Sequence, residues 1–277
     1  MRPLLLVAGV AVPGVAFADA LVPADPARAP GFVQIDRYDA TSVAGGDLSY
    51  VSLDGASEDV TVLRFQLGGR YVDRRSNVGG YVNLPITYAS GNGDSLTAIG
   101  NLEVGGILLP KLGEGSTVAL HAGLTLPTAD DDEDALVNIL ATTARPQDLF
   151  LAIPQGTSLR LGASPMFRSG NVFGRVDVGI DININNGGGG DESDPLVHVN
   201  AGIGIDLGGA AVMGELSNVY LTDGDADFSD RLINVFALSA RFTAGKAMPY
   251  LSLLIPLDDN ATSTIDLAFT AGLEARL

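Results

Sequence analysis

From Val172 to Asn185 the chain alternates between two kinds of residue. Val172, Val176, Val178, Ile180, Ile182 and Ile184 fall on one parity, and Arg175, Asp177, Asp181, Asn183 and Asn185 fall on the other. Successive side chains of a strand point to opposite faces, so this segment has one aliphatic face and one charged face. The pattern recurs from Val60 to the C-terminus in segments of ~9–11 residues, the length a tilted strand needs to cross a bilayer. Leu63, Phe65, Leu67 and Tyr71 oppose Arg64, Gln66 and Arg70, and Val197, Val199, Ala201, Ile203 and Ile205 oppose His198, Asn200 and Asp206. An Arg or Lys on a lipid-facing wall costs ~2–4 kcal/mol at the bilayer midplane, so the charged parity is expected to turn inward. The expected fold is all-β: a single closed antiparallel transmembrane β-barrel of about twelve strands.

The expected strands are Asp47–Leu53, Val60–Val72, Asn77–Tyr88, Thr97–Leu109, Thr117–Leu126 and Ser158–Arg168. Val172–Asn185, Leu196–Leu207, Ala210–Thr222, Arg231–Thr243, Ala247–Leu257 and Thr264–Leu277 complete the set. The opening is ambiguous, because Phe32–Tyr38 could be the first strand or could lie in the lumen. Ala210–Thr222 and Ala247–Leu257 are also irregular, with both faces partly apolar. Short links such as Ser169–Gly170 and Gly208–Gly209 alternate with longer polar ones, among them Ala89–Leu96, Pro127–Thr157, Asn186–Pro195 and Asp223–Asp230. Short periplasmic turns and longer external loops are the outer-membrane arrangement.

Arg2 followed by an apolar run from Leu4 to Phe17 reads as a secretory signal peptide over residues 1–20. Residues 21–46 then form a periplasmic N-terminal segment or a lumen plug, and 47–277 the barrel. With no cysteine, disulfide stapling is absent, and closure of the sheet can supply rigidity instead. A formal net charge of -17 argues against nucleic acid, which demands a basic footprint. The mean hydropathy is nonetheless +0.27. Acidic runs in the long links, such as Asp130–Asp134 and Asp223/Asp225/Asp227, reconcile the two.

With these features the chain resembles porin-like outer-membrane barrels of bacteria. The segments IGNLEVGGILLP (Ile99–Pro110) and ALHAGLTLPTAD (Ala119–Asp130) resemble, more closely, the MetA-pathway phenol-degradation family of barrels. The general resemblance implies location in the bacterial outer membrane. It also implies contact with membrane lipid and lipopolysaccharide, and insertion by the outer-membrane assembly machinery. Such barrels commonly end in an aromatic residue read by that machinery, whereas this chain ends in Leu277, which keeps the outward parity of Phe269 and Leu273.

The inward set is mixed in sign: Arg64, Arg70, Arg160, Arg168, Arg175 and Arg241 against Glu103, Asp177, Asp181, Asp206, Glu215, Asp266 and Glu274. Facing charges of opposite sign could orient a permeating solute, or could fill and stiffen a narrow lumen. In the long third link Leu136, Ile139 and Leu140 have helical spacing after Asp132–Asp134, and Leu149–Ile153 with Phe150 adds a second apolar stretch. The expected constriction loop therefore contains Asp134, Leu136, Ile139, Leu140 and Phe150. His121 and His198 share the inward parity but neither accompanies a nucleophile motif, so no enzyme is expected. Asp223–Asp227 lacks the sixth-position glycine and twelfth-position glutamate of a calcium loop, and neither a metal nor a cofactor is implied. The expected function is passive passage of small molecules, with a structural or adhesive barrel of filled lumen as the alternative.

Overall fold

The computed structural model describes residues 31–35, 38–53, 60–91, 94–129, 133–185, 195–222, 231–258 and 265–277. The first strands are β1 (Val43–Leu53), β2 (Val60–Asp73), β3 (Val78–Gly91), β4 (Asp94–Ile99), β5 (Leu102–Leu108), β6 (Lys111–Gly113) and β7 (Ser116–Leu126). After the third link come β8 (Thr157–Ser169), β9 (Val172–Asn185), β10 (Leu196–Asp206), β11 (Ala210–Leu221), β12 (Leu232–Phe242), β13 (Ala247–Pro256) and β14 (Ile265–Arg276). Neighbours along the chain pair antiparallel, and β14 returns to pair with β1. Counting β4 and β5 as one broken stave, the sheet is a closed twelve-stranded barrel, with β6 a short ribbon paired to β7 outside the main circuit. Closure pairs the main staves on both sides, the condition a sheet must meet in lipid, while β4 pairs with β3 alone at the loop end. No helix among the described residues is long and apolar enough to cross a membrane.

The two parities separate as the alternation requires. Phe65, Leu67, Val176, Val178, Ile203, Ile205, Leu251, Leu253, Leu267 and Phe269 are all exposed on the outer wall. Tyr71, Phe167 and Phe242 are exposed toward the end with short turns, and Tyr88 toward the other. At the turn end β8 and β9 are joined by Gly170 and Asn171 alone, with Gly170 at φ +59°, a left-handed conformation that glycine adopts without a Cβ clash.

Three expectations about strands are corrected. The first strand begins at Val43, four positions before Asp47, because Val43 to Gly46 still pair with both β14 and β2. The link expected over Ala89–Leu96 is largely strand, since β3 runs to Gly91 and β4 starts at Asp94. The strand expected as Thr97–Leu109 is broken at Gly100-Asn101. There Gly100 N–H bonds Pro85 O, and Asn101 N–H turns to Leu151 O of the third loop at 2.7 Å. A Cβ at Gly100 would lie 2.6 Å from Pro85 Cγ and 2.7 Å from Leu151 O, so only glycine lets loop and wall approach this closely.

The interior of the barrel is occupied. Helix α1 (Glu133–Ala141) and two 3₁₀ turns, Thr142–Ala144 and Pro146–Leu151, fold into the loop end. Val137, Ala141 and Ala144 pack against inward residues of β1–β4 and β12–β14, including Val51, Val62, Ala98, Val235 and Leu254. Phe150 packs on Leu196 and Val219 at the opposite wall, so the loop crosses the mouth. From the other side Phe32, Val33 and Ile35 pack against Phe173, Ala211, Met213 and Tyr250. These contacts explain why β11 and β13 are apolar on both faces. Their inner faces meet protein rather than water.

Candidate functional site

The lumen holds a dense set of charges. Arg64, Arg70, Glu103, His121, Arg160, Arg175, Asp177, Asp181, His198, Arg241 and Glu274 are all buried inside the barrel. Inward parity puts them there, and each charge finds a partner, as burial in a low-dielectric interior demands. Arg168 and Asp206 stand apart near the turn end, half-buried and joined at 2.7 Å. The side chain of Asp266 lies outside the described residues, as do those of Asp134 and Leu136 in the third loop. The acidic stretch Asp223–Asp227 is likewise outside them, and no group of ligands among the described residues could hold a metal ion.

One carboxylate of the third loop gathers three arginines, two of them on the wall. Asp148 accepts from Arg64 at 2.7 Å, contacts Arg145 at 3.0 Å, and lies 3.6 Å from Arg160. Burial works to raise its pKa, but the charges of Arg145, Arg64 and Arg160, with the hydrogen bond from Arg64, outweigh burial and hold the carboxyl well below the usual carboxylate range. Arg160 reaches further, to Asp181 at 2.8 Å and Glu103 at 3.7 Å. Of the other loop residues, Leu140 packs partly against the apolar cluster, Phe150 is buried, and Ile139 is exposed. Asp148 escaped sequence reasoning because it sits beside an apolar run with no strand parity to place it.

The segment ahead of β1 lies in the lumen. Val33, Gln34 and Ile35 each donate a backbone N–H to the Glu215 carboxylate, at 2.7–3.2 Å. Tyr38 donates its hydroxyl to Glu103 at 3.1 Å, as does Tyr81 at 2.9 Å. Asp39 pairs with Arg70, which also lies 3.7 Å from Glu274. Tyr250 donates to Asp47 at 2.9 Å, and the Arg241 guanidinium lies over the Tyr250 ring. A cavity of about 40 Å³ remains among Tyr38, Gln66, Arg70, Tyr81, Tyr250 and Glu274. Such a space holds a few waters and no solute.

Asp177 has a histidine on each side. The Nε2 atoms of His121 and His198 lie 3.8 and 3.4 Å from its oxygens. Arg175, Ser164 and Asn200 also contact it. Tyr38 stacks on the His121 ring, 3.9 Å between centroids. The cluster is sealed, with both imidazoles and the carboxylate fully enclosed.

No family profile and no curated protein matches the chain, so the likeness of Ile99–Pro110 and Ala119–Asp130 to the phenol-degradation barrels remains one of those residues alone. Solved structures do match. The crystal structure of the COG4313 outer membrane channel from Pseudomonas putida F1 superposes with a TM-score of 0.66 at 12% identity, over 86% of this chain and 95% of that one. The fold is that of a porin-like outer-membrane β-barrel. The NanC porin superposes on this barrel with a TM-score of 0.51 at 9% identity, over 84% of this chain and all of that one (100%). Outer membrane phospholipase A from Escherichia coli reaches a TM-score of 0.46 at 12% identity, over 84% of this chain and 92% of that one, too low a likeness to bear on chemistry.

Proposed function

We propose that this barrel is an outer-membrane channel for small molecules, closed in the present conformation by two of its own segments, the described residues 31–35 and 38–42 and the third loop. The observation that carries the reading is the nature of the filling. The space inside the wall is taken up by main chain held through side-chain hydrogen bonds and ion pairs, not by wall side chains alone. Segments held this way can leave, whereas a wall side chain cannot. The fold likeness to a COG4313 outer membrane channel and to the NanC porin supports the reading. The apolar outer belt and mixed-charge inner wall are what a channel in a bilayer requires. The enclosure of His121, Asp177 and His198 inside the wall argues against lipid hydrolysis, which needs its site at the membrane boundary.

The density of ion pairs around Asp148 favours a second reading, a structural barrel that never opens. Planar-bilayer recording separates the two. The full chain should show small or intermittent steps, and variants lacking Asp134–Ile153 or residues 31–40 should show larger, sustained ones. Heat-modifiable migration would certify that each variant is folded. Folded deletion variants without discrete conductance would establish the filled barrel instead.

A further inference from the structure

The lumen holds the main chain of residues 32–35 from both sides, and the Gln34 side chain donates to Thr270 Oγ1 at 3.1 Å. On one side the Glu215 carboxylate of β11 takes the N–H groups of Val33, Gln34 and Ile35. On the other, each carbonyl meets a side-chain donor: Phe32 O from Arg241 at 3.4 Å, Val33 O from Arg145 at 3.3 Å, Gln34 O from Gln147, and Ile35 O from Arg145 at 3.5 Å. These are groups that every peptide carries, whatever its sequence.

Side-chain space is provided as well. The Phe32 ring lies over Gly202, where a Cβ would come within 2.5 Å of it, and 5.3 Å from the Phe173 ring. Val33 and Ile35 are fully buried beside Ala211, Met213 and Tyr250. The result is a cradle with a carboxylate for N–H donors, guanidinium and amide donors for carbonyls, and an apolar hollow for large side chains.

We propose that the cradle is a peptide-binding site, and that the solutes admitted are short peptides bearing apolar side chains, which compete with residues 32–35 for Glu215, Arg145, Gln147 and Arg241. This rests on the reading of the barrel as a channel. When the segment leaves, the Glu215 carboxylate loses three N–H donors, and Arg145 and Arg241 lose carbonyl acceptors, to be replaced by water or by a solute. An incoming solute must bring donors and acceptors together at main-chain spacing. A simple cation answers Glu215 alone, and a simple anion meets guanidiniums already paired with carboxylates, Arg241 with Glu274 at 2.5 Å and Arg145 with Asp148 at 3.0 Å. A short peptide satisfies both, with its terminal ammonium and carboxylate extending the same complementarity.

The test uses a fluorescein-labelled peptide, Gly-Phe-Val-Gln-Ile, titrated by anisotropy into the full chain in detergent and into Phe32→Ala. Loosening the resident segment should tighten peptide binding by at least ~10-fold, and adding Glu215→Gln should weaken it by at least ~10-fold, the effect of losing hydrogen bonds to a charged acceptor. Unlabelled peptide should compete and maltotriose should not. The variant lacking residues 31–40 provides an emptied lumen for the same titration and for bilayer recording, with heat-modifiable migration as the folding control. Absence of saturable binding to either folded variant overturns the proposal. Conductance that peptide leaves unblocked also overturns it while sparing the channel. Peptide binding without any conductance upholds the cradle and removes the channel.

Discussion

Arg64 of β2 donates to Asp148 of the third loop at 2.7 Å, with both side chains almost wholly buried. This contact ties the mouth of the barrel to the element that crosses it. Asp148→Asn removes the charge while leaving Arg64 and Arg145 buried beside it. Breaking a buried pair from one side typically destabilises by about 3–5 kcal/mol. We expect a lower urea midpoint for the folded, heat-modifiable form and larger bilayer conductance. An unchanged midpoint would mean that the loop is held by its apolar contacts and by its other hydrogen bonds to the wall, such as that from Asn101 N–H to Leu151 O.

The same carboxylate predicts an acid response. Its folded pKa is depressed, chiefly because three guanidiniums overcome the opposing effect of burial. A depressed carboxylate contributes stability that is fully present above its unfolded value, ~3.9, and is lost as pH falls below that toward the folded value. Loop anchoring should therefore be flat from about pH 8 to 5 and weaken only below about pH 4. Conductance recorded across this range checks it, with Asp148→Asn expected to show no acid-dependent component from this site.

Across four strands, His121, Gly162, Gly179 and His198 sit side by side in register. Each imidazole folds over the neighbouring glycine: a Cβ at Gly179 would lie 2.2 Å from His198 Nε2 and 2.9 Å from Leu161 O. Gly179→Ala should therefore destabilise by about 1–3 kcal/mol, as overpacking does. Adding His198→Ala should recover part of the loss, because the ring clash disappears while the backbone contact stays. A double-mutant cycle of urea midpoints measures the coupling, and strict additivity would disprove the steric account.

The wall was legible in the sequence because parity alone decides which side of a sheet a residue faces. Val172–Asn185 is a strand over that same range, and inward parity puts Arg160 and Asp181, paired across β8 and β9, on the same face. What parity cannot reach is the filling. Asp148, Arg145 and Gln147 lie in 3₁₀ turns and between them, where no period governs direction. Their partners are set by how far the loop descends, a tertiary fact. One trace was visible nonetheless. Met213, Tyr250 and Leu254 are apolar on inner faces that also carry Glu215, Ser217 and Ser252, and these positions meet Ile35, Phe32 and α1 neighbours inside. The break at Gly100-Asn101 left no comparable mark, since a glycine in a Gly-rich strand is unremarkable until Leu151 is seen to bond there.

Val178 faces outward near the middle of β9, flanked by Ala163 of β8 and Val199 of β10. Leu207 is more exposed still, at 65%, but lies just beyond the end of β10. In water these two positions would tolerate arginine about equally. In a bilayer they differ, because a charged side chain at the midplane costs ~2–4 kcal/mol and near the interface ~0–1 kcal/mol. Val178→Arg should therefore lower the urea midpoint in phospholipid vesicles far more than Leu207→Arg does. In a soluble barrel the two would be alike. Equal penalties would place the outer belt in water and overturn the membrane reading, and a steep difference requires that the aliphatic parity of β9 faces lipid.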